Sequence, residues 1–200
     1  MPRDAEATRA RLLDAAVAEF AEFGIAGARV ERIARQADSN KAQIYHYYGS
    51  KDQLFDAAFE AVVTKVVTAI PLDVHDLPGY AAKLAELYDR HPEIIRMATW
   101  QRRERSADAP APLTIDSLRG KIDAIATAQA DNTLPSHYPA GVLLALVLHL
   151  ATAWVSVGPE FSAAVPDADH LRSKYIVDAV HQLLADRPDR PAGSDDALNM

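Results

Sequence analysis

The side chains best equipped for chemistry in this 200-residue chain lie between Val30 and Leu54, VERIARQADSNKAQIYHYYGSKDQL. Gln43, Tyr45, His46, Tyr47 and Tyr48 sit between Lys41 and Lys51. Their chemistry is hydrogen bonding and charge, not bond cleavage. A glutamine amide pairs bidentately with adenine, an alanine methyl meets the thymine methyl, and lysine and tyrosine hold phosphate oxygens. Patterns that break bonds are missing: the chain has no HExxH, no GxSxG and no Gly-rich phosphate loop. It has no cysteine, and His75, His91, His137, His149, His170 and His181 are scattered without metal-ligand spacing. The sequence therefore predicts no catalytic residue, no metal site, no cofactor and no enzyme activity.

Positioning those side chains takes a short helix, a turn and a second helix. Val30, Ile33, Ala34 and Ala37 share one face of a helix over 30–37. Asp38-Ser39-Asn40 is the turn, and Asn40 is a good N-cap for a helix over Lys41–Tyr48. Ser50 caps the next helix, from Lys51 to Ile70, which Pro71 and Asp73 stop. On an ideal wheel Ile44 and Tyr48 point inward, against Leu13, Phe20 and Ile33. Ala42, Gln43 and His46 fall opposite, flanked by Tyr45 and Tyr47. Laid in a DNA major groove, such a helix offers Ala42, Gln43 and His46 to base edges and Tyr45 and Tyr47 to the phosphate walls. Lys41 reaches guanine or phosphate from the helix start, beside Asn40, and Lys51 joins the free amides of its own helix at a phosphate.

Charge alone does not suggest nucleic acid. Net charge is −7. Residues 1–51 hold 8 Lys and Arg against 7 Asp and Glu, and residues 52–200 hold 13 against 21. The reading rests on pattern, and the acidic remainder needs a separate role. That remainder is helical throughout. Leu12, Leu13, Ala16, Val17 and Phe20 mark a helix from Thr8 to Phe23 that Gly24 caps. Beyond Pro71, helices are expected from Asp76 to Arg90, Pro92 to Arg105, Thr114 to Ala130, Val142 to Val157 and Asp167 to Ala185. Residues 106–112 read as a linker, and the segment over 186–200 as a disordered tail. No strand is evident. The apolar run 142–157 falls short of the ~20 residues of a membrane span and carries His149. Burying it on every side takes a second subunit. The charged N-terminal segment MPRDAEATRAR lacks the apolar core of a signal peptide, which implies a cytoplasmic protein.

These residues resemble the tetracycline-repressor (TetR) family of bacterial transcriptional regulators. TRARLLDAAVAEFAEFG is similar to the family's first helix, VERIARQA to its second, and QIYHYYGSKDQLF to its recognition helix and the start of its fourth. The chain departs from the pattern at Ala28-Arg29, where the family usually has Thr-Thr, and at Asp38-Ser39-Asn40, where it usually has Gly-Val-Ser. Asp38 tolerates a left-handed turn. Arg29 cannot cap the second helix as threonine does, but it can reach a phosphate.

The fold class expected is all-α: an N-terminal three-helix helix-turn-helix DNA-binding domain over 1–50, and a C-terminal helical ligand-binding and dimerisation domain over 51–185. The resemblance implies a homodimer on a palindromic operator of double-stranded DNA, paired through helices 142–157 and 167–185. It also implies a small-molecule effector in the C-terminal domain that releases a repressor from DNA. Tyr88, Met97, Trp100 and Gln101, with His149, Thr152, Trp154 and Phe161, are candidate lining residues for a mostly apolar ligand. The rivals are an activator, a ligand-independent regulator and, from another class, a helical adaptor that uses the tyrosine-rich helix to bind protein.

Overall fold

A computed structural model describes residues 2–105, 112–165 and 171–185, apart from the side chains of residues 2–4, 159 and 162. Residues 106–111 of the linker expected over 106–112, the first residues of the expected last helix and the tail over 186–200 lie outside the described residues, and Pro112, the last residue of that linker, begins a helix instead. Ten helices and no strand occur among them: α1 (Pro2–Gly27), α2 (Val30–Gln36), α3 (Lys41–Tyr48), α4 (Lys51–Ala69), α5 (Leu77–Arg90), α6 (Pro92–Glu104), α7 (Pro112–Ala130), α8 (Ala140–Thr152), α9 (Pro159–Ala164) and α10 (Arg172–Leu184).

Side-chain caps set several starts. The carboxamide of Asn40 accepts from Gln43 N, the Ser50 hydroxyl from Gln53 N, and the Asp76 carboxylate from Gly79 N. Other ends differ from expectation. α1 begins at Pro2, not Thr8, because Ala5, Glu6 and Ala7 extend the helix. At Gly24 the backbone turns to φ 69°, and a further helical turn follows it. α8 stops at Thr152, not Val157: Ala153 N–H donates to the Leu150 carbonyl three residues back, and the tighter turn ends the helix. Gly158-Pro159 starts the short α9, where a stop was expected, because proline suits a first helical turn.

Two cores hold these helices. Leu12, Phe20, Ile33, Ile44, Leu54 and Phe55 are fully buried in the first, with Phe20 and Phe55 edge-to-face at 5.2 Å. Leu77, Leu84, Ile125, Leu143 and Val147 lead the second, which α5, α7, α8 and α10 build. α4 serves both, with Phe55 and Phe59 in the first and Val62 in the second. α6 also bridges them: Met97 is fully buried in the first core and Ile94 in the second. Polar bonds pin α6 to the front end. Trp100 Nε1 donates to Ala21 O (3.2 Å), Ala26 N to Glu104 Oε2 (2.9 Å), and Arg105 to Asp56 Oδ1 (2.5 Å).

Candidate nucleic-acid interface and internal cavity

Helices α2 and α3 meet through a tight turn. Asp38 takes a left-handed conformation at φ 50°, where glycine is more usual, and Ser39 N donates to the Ala34 carbonyl (2.9 Å). Arg11 Nε donates to Ala37 O (3.2 Å), which ties the turn to α1. Ile44 is 0% and Tyr48 7% exposed. The Tyr48 hydroxyl donates to Arg9 O (3.3 Å), and burial pushes its pKa up. With this face held inside, Lys41, Ala42, Gln43, Tyr45 and His46 are exposed, and Tyr47 is half-buried against the core.

Several of these side chains already have partners. Lys41 Nζ lies 2.6 Å from Glu31 Oε1. The bond lowers the pKa of Glu31 and raises that of Lys41. Ser39, half-buried, donates its hydroxyl to Gln43 Oε1 (2.5 Å). This steadies the carboxamide that the sequence nominates to read a base. Asn40 spends its carbonyl oxygen on the α3 cap. Lys51 is half-buried, and its Nζ donates to the Ala28 carbonyl (3.4 Å).

Sequence reasoning missed Glu19. It is 5% exposed and lies beneath the start of α2. Arg29 supplies no side-chain cap, but its backbone N–H donates to Glu19 Oε1 (2.7 Å). The Arg32 guanidinium forks onto both Glu19 oxygens (2.8 and 2.9 Å) and stacks on the Phe23 ring (4.1 Å). A buried carboxylate at the positive end of α2 thus does the work of the absent threonine. Arg32 is fixed and Arg29, exposed, is not.

A second feature lies in the body. A cavity of about 310 Å³ opens among α4, α5, α6, α7 and α8. Of the residues nominated from sequence, Tyr88, His149 and Thr152 line it. Tyr88 is buried at its floor beside Tyr80, whose pKa burial, with a smaller contribution from Tyr88, pushes up to about 12. His149 Nδ1 donates to Ala145 O (2.7 Å), so that nitrogen carries the proton. The other five nominated residues do not line it. Met97 is packed in the first core, Trp100 faces α1, and Gln101 and Trp154 are half-buried away from the cavity. Phe161 is exposed on α9. Lining residues that the sequence did not single out include Arg102, Thr114, Ser117 and Lys121.

A helix-turn-helix head on an all-helical body defines the class: a DNA-binding regulator with a separate helical domain. Comparison with known proteins agrees. Residues 12–58 match the bacterial regulatory proteins, tetR family, and residues 76–182 match the tetracyclin repressor-like C-terminal domain. The HTH-type transcriptional repressor SCO4008 of Streptomyces coelicolor is 38% identical over 160 residues, 79% of this chain and 83% of that protein. The HTH-type transcriptional repressor NicS of Pseudomonas putida is 31% identical over 126 residues, 60% of this chain and 59% of that protein. The crystal structure of SCO4942 from Streptomyces coelicolor, described as a transcriptional regulator, superposes with a TM-score of 0.80 at 37% identity, covering 90% of this chain and 99% of that one. The chain belongs to the TetR family of transcriptional regulators, which are DNA-binding proteins and not enzymes. No helix among the described residues is long and apolar enough to cross a membrane.

Proposed function

We propose that the chain is a homodimeric repressor that grips a palindromic operator with α3 and lets go when a small effector fills the cavity. The observation that carries the DNA reading is the division of α3: Ile44 and Tyr48 inside, Ala42, Gln43 and His46 outside. Gln43 and Ala42 read base edges; Lys41, Tyr45, Tyr47, Arg29 and Lys51 serve the phosphates. Lys41 and Lys51 do so by exchanging their present partners, Glu31 and the Ala28 carbonyl. The names of SCO4008 and NicS favour repression over activation.

One head makes few phosphate contacts, so affinity calls for two. α8 leaves Val142 and Leu146 exposed, and α10 leaves Tyr175 exposed. Covering them by a second copy across a two-fold axis sets the heads about 34–36 Å apart, one turn of DNA. The reading divides the chain near residue 50 into head and body, with α4 the start of the body, and sets the protein in the cytoplasm. α4 and α6 each touch both the cavity and the head, so an effector that shifts them shifts the heads. A coupling of about 1–3 kcal/mol weakens operator binding 5- to 150-fold.

Sequencing the DNA fragments that the purified protein retains tests this. The expected result is one inverted repeat, bound by a dimer in sedimentation, with affinity falling steeply as salt rises. Salt-independent binding, or a monomer at micromolar concentration, overturns it.

A further inference from the structure

The cavity is chemically lopsided. Its floor is oily: Val62, Tyr80, Leu84, Tyr88 and Ile94 are buried there. One wall is not. Thr114, Ser117 and Lys121 recur at helical spacing on α7, so a single face carries two hydroxyls and an ammonium. α6 adds the exposed guanidinium of Arg102 at the mouth. Among the described residues no carboxylate lines the cavity, although acidic residues outnumber basic ones 21 to 13 over residues 52–200.

The polar wall is short of an acceptor. Lys121 Nζ donates to Ser117 Oγ (2.5 Å), and among the described residues neither Lys121 nor Arg102 forms a salt bridge. Burial pushes the Lys121 pKa down, as happens when a cation loses water without gaining an anion. Thr114 Oγ1 is buried with no hydrogen-bond partner among the described residues. An ammonium, a guanidinium and an unpaired hydroxyl all want the same thing, a negatively charged oxygen.

We infer that the effector is an amphipathic anion: a hydrophobic body on the cavity floor and one carboxylate held by Lys121, Arg102 and the α7 hydroxyls. The inference rests on the cavity being the effector site. The carboxylate replaces the water that Lys121 lost. A neutral ligand of the same shape leaves that ammonium unpaired, and a cationic ligand adds repulsion.

N-phenyl-1-naphthylamine, an uncharged dye that fluoresces in apolar surroundings, reports occupancy of the cavity. Decanoate, decanol and decylammonium then compete for it at submicellar concentrations. Decanoate is expected to displace the dye at a concentration about tenfold below that of decanol, the gain of one charge-assisted bond, with decylammonium weakest. Lys121→Met removes the charge and keeps the length; it should take away most of decanoate's lead over decanol, each competitor being scored against the variant's own affinity for the dye. Arg102→Gln, at the exposed mouth, should narrow the same preference. Equal displacement by decanoate and decanol in the unaltered protein overturns the inference and leaves the cavity standing as an effector site. If neither the dye nor any competitor binds, both fall. The comparison in unaltered protein needs no variant, so a misfolded Lys121→Met cannot spoil it.

Discussion

Gly24 is where the head meets the body, and replacing it with alanine tests how tightly the two are joined. Two costs add. The backbone there sits at φ 69°, ψ −178°, a region essentially reserved for glycine, and a side chain held in it costs about 1–3 kcal/mol. The new Cβ would also stand 2.5 Å from Glu104 Oε1 and 2.9 Å from Trp100 Cε3. Neither neighbour is free to swing away. Glu104 accepts the Ala26 amide and Trp100 donates to the Ala21 carbonyl, so yielding breaks a bond as well as a packing contact. Overpacking of this kind costs about 1–3 kcal/mol more. Gly24→Ala should therefore lose about 2–6 kcal/mol of unfolding free energy, a large part of the total for a small domain.

The control is Gly120→Ala. Gly120 lies inside α7, its φ is not positive, and a Cβ there meets nothing within 4 Å. The same chemical change should stabilise by about 0.5–1 kcal/mol, through helix propensity alone. Urea unfolding followed by circular dichroism, extrapolated linearly to water, measures both. The m-value must stay constant for the comparison to hold. A loss under about 1 kcal/mol at Gly24, or an equal loss at Gly120, would refute the claim that close approach of α6 demands glycine at this junction.

Three further outcomes are expected. Gln43→Ala should cost about 1–3 kcal/mol on the preferred operator and relax one base position per half-site in a binding-site selection; equal losses on every sequence would remove it from base reading. Glu31→Gln spares Lys41 the exchange of partners, so anisotropy titrations should show tighter binding on all sequences, whereas Lys41→Ala should flatten the salt slope by about 0.9 per head; an unchanged slope in Lys41→Ala would mean that Lys41 stays off the backbone. The Tyr80 phenol keeps its proton in the folded state up to about pH 12, against 10.0 for an ordinary tyrosine. Folding stability should hold below pH 10 and fall as pH climbs between 10 and 12, and Tyr80→Phe should flatten that decline in alkaline unfolding curves.

The head was legible because its signals are local. The caps at Asn40 and Ser50, the pairing of Ile44 with Tyr48, and the left-handed turn at Asp38 each depend on residues within a few positions of one another. What escaped was non-local. Glu19 reads as one more polar residue on the outer face of α1, and only the tertiary fold sets it under the first turn of α2 to replace the missing cap. Ser39 stands where the family usually has valine, and only the structure shows its hydroxyl turned to Gln43.

The body defeats local reading for a different reason: α6 is apolar toward two partners at once. Ile94, Ala98 and Arg102 recur every four residues and face the cavity, whereas Met97, Trp100 and Glu104 form a second stripe against α1 and the head. Periodicity finds both stripes and cannot say which one meets a ligand, because an aromatic in a core and an aromatic in a pocket have the same spacing. The conspicuous residues, Met97 and Trp100, went to the structural side. The cavity took the inconspicuous ones, and its polar wall comes from Thr114, Ser117 and Lys121, which on a helix wheel read as an ordinary solvated face. A charged residue on such a face becomes informative only when the fold sets it beside apolar neighbours and supplies no counter-charge, and among the described residues that condition is met at Lys121.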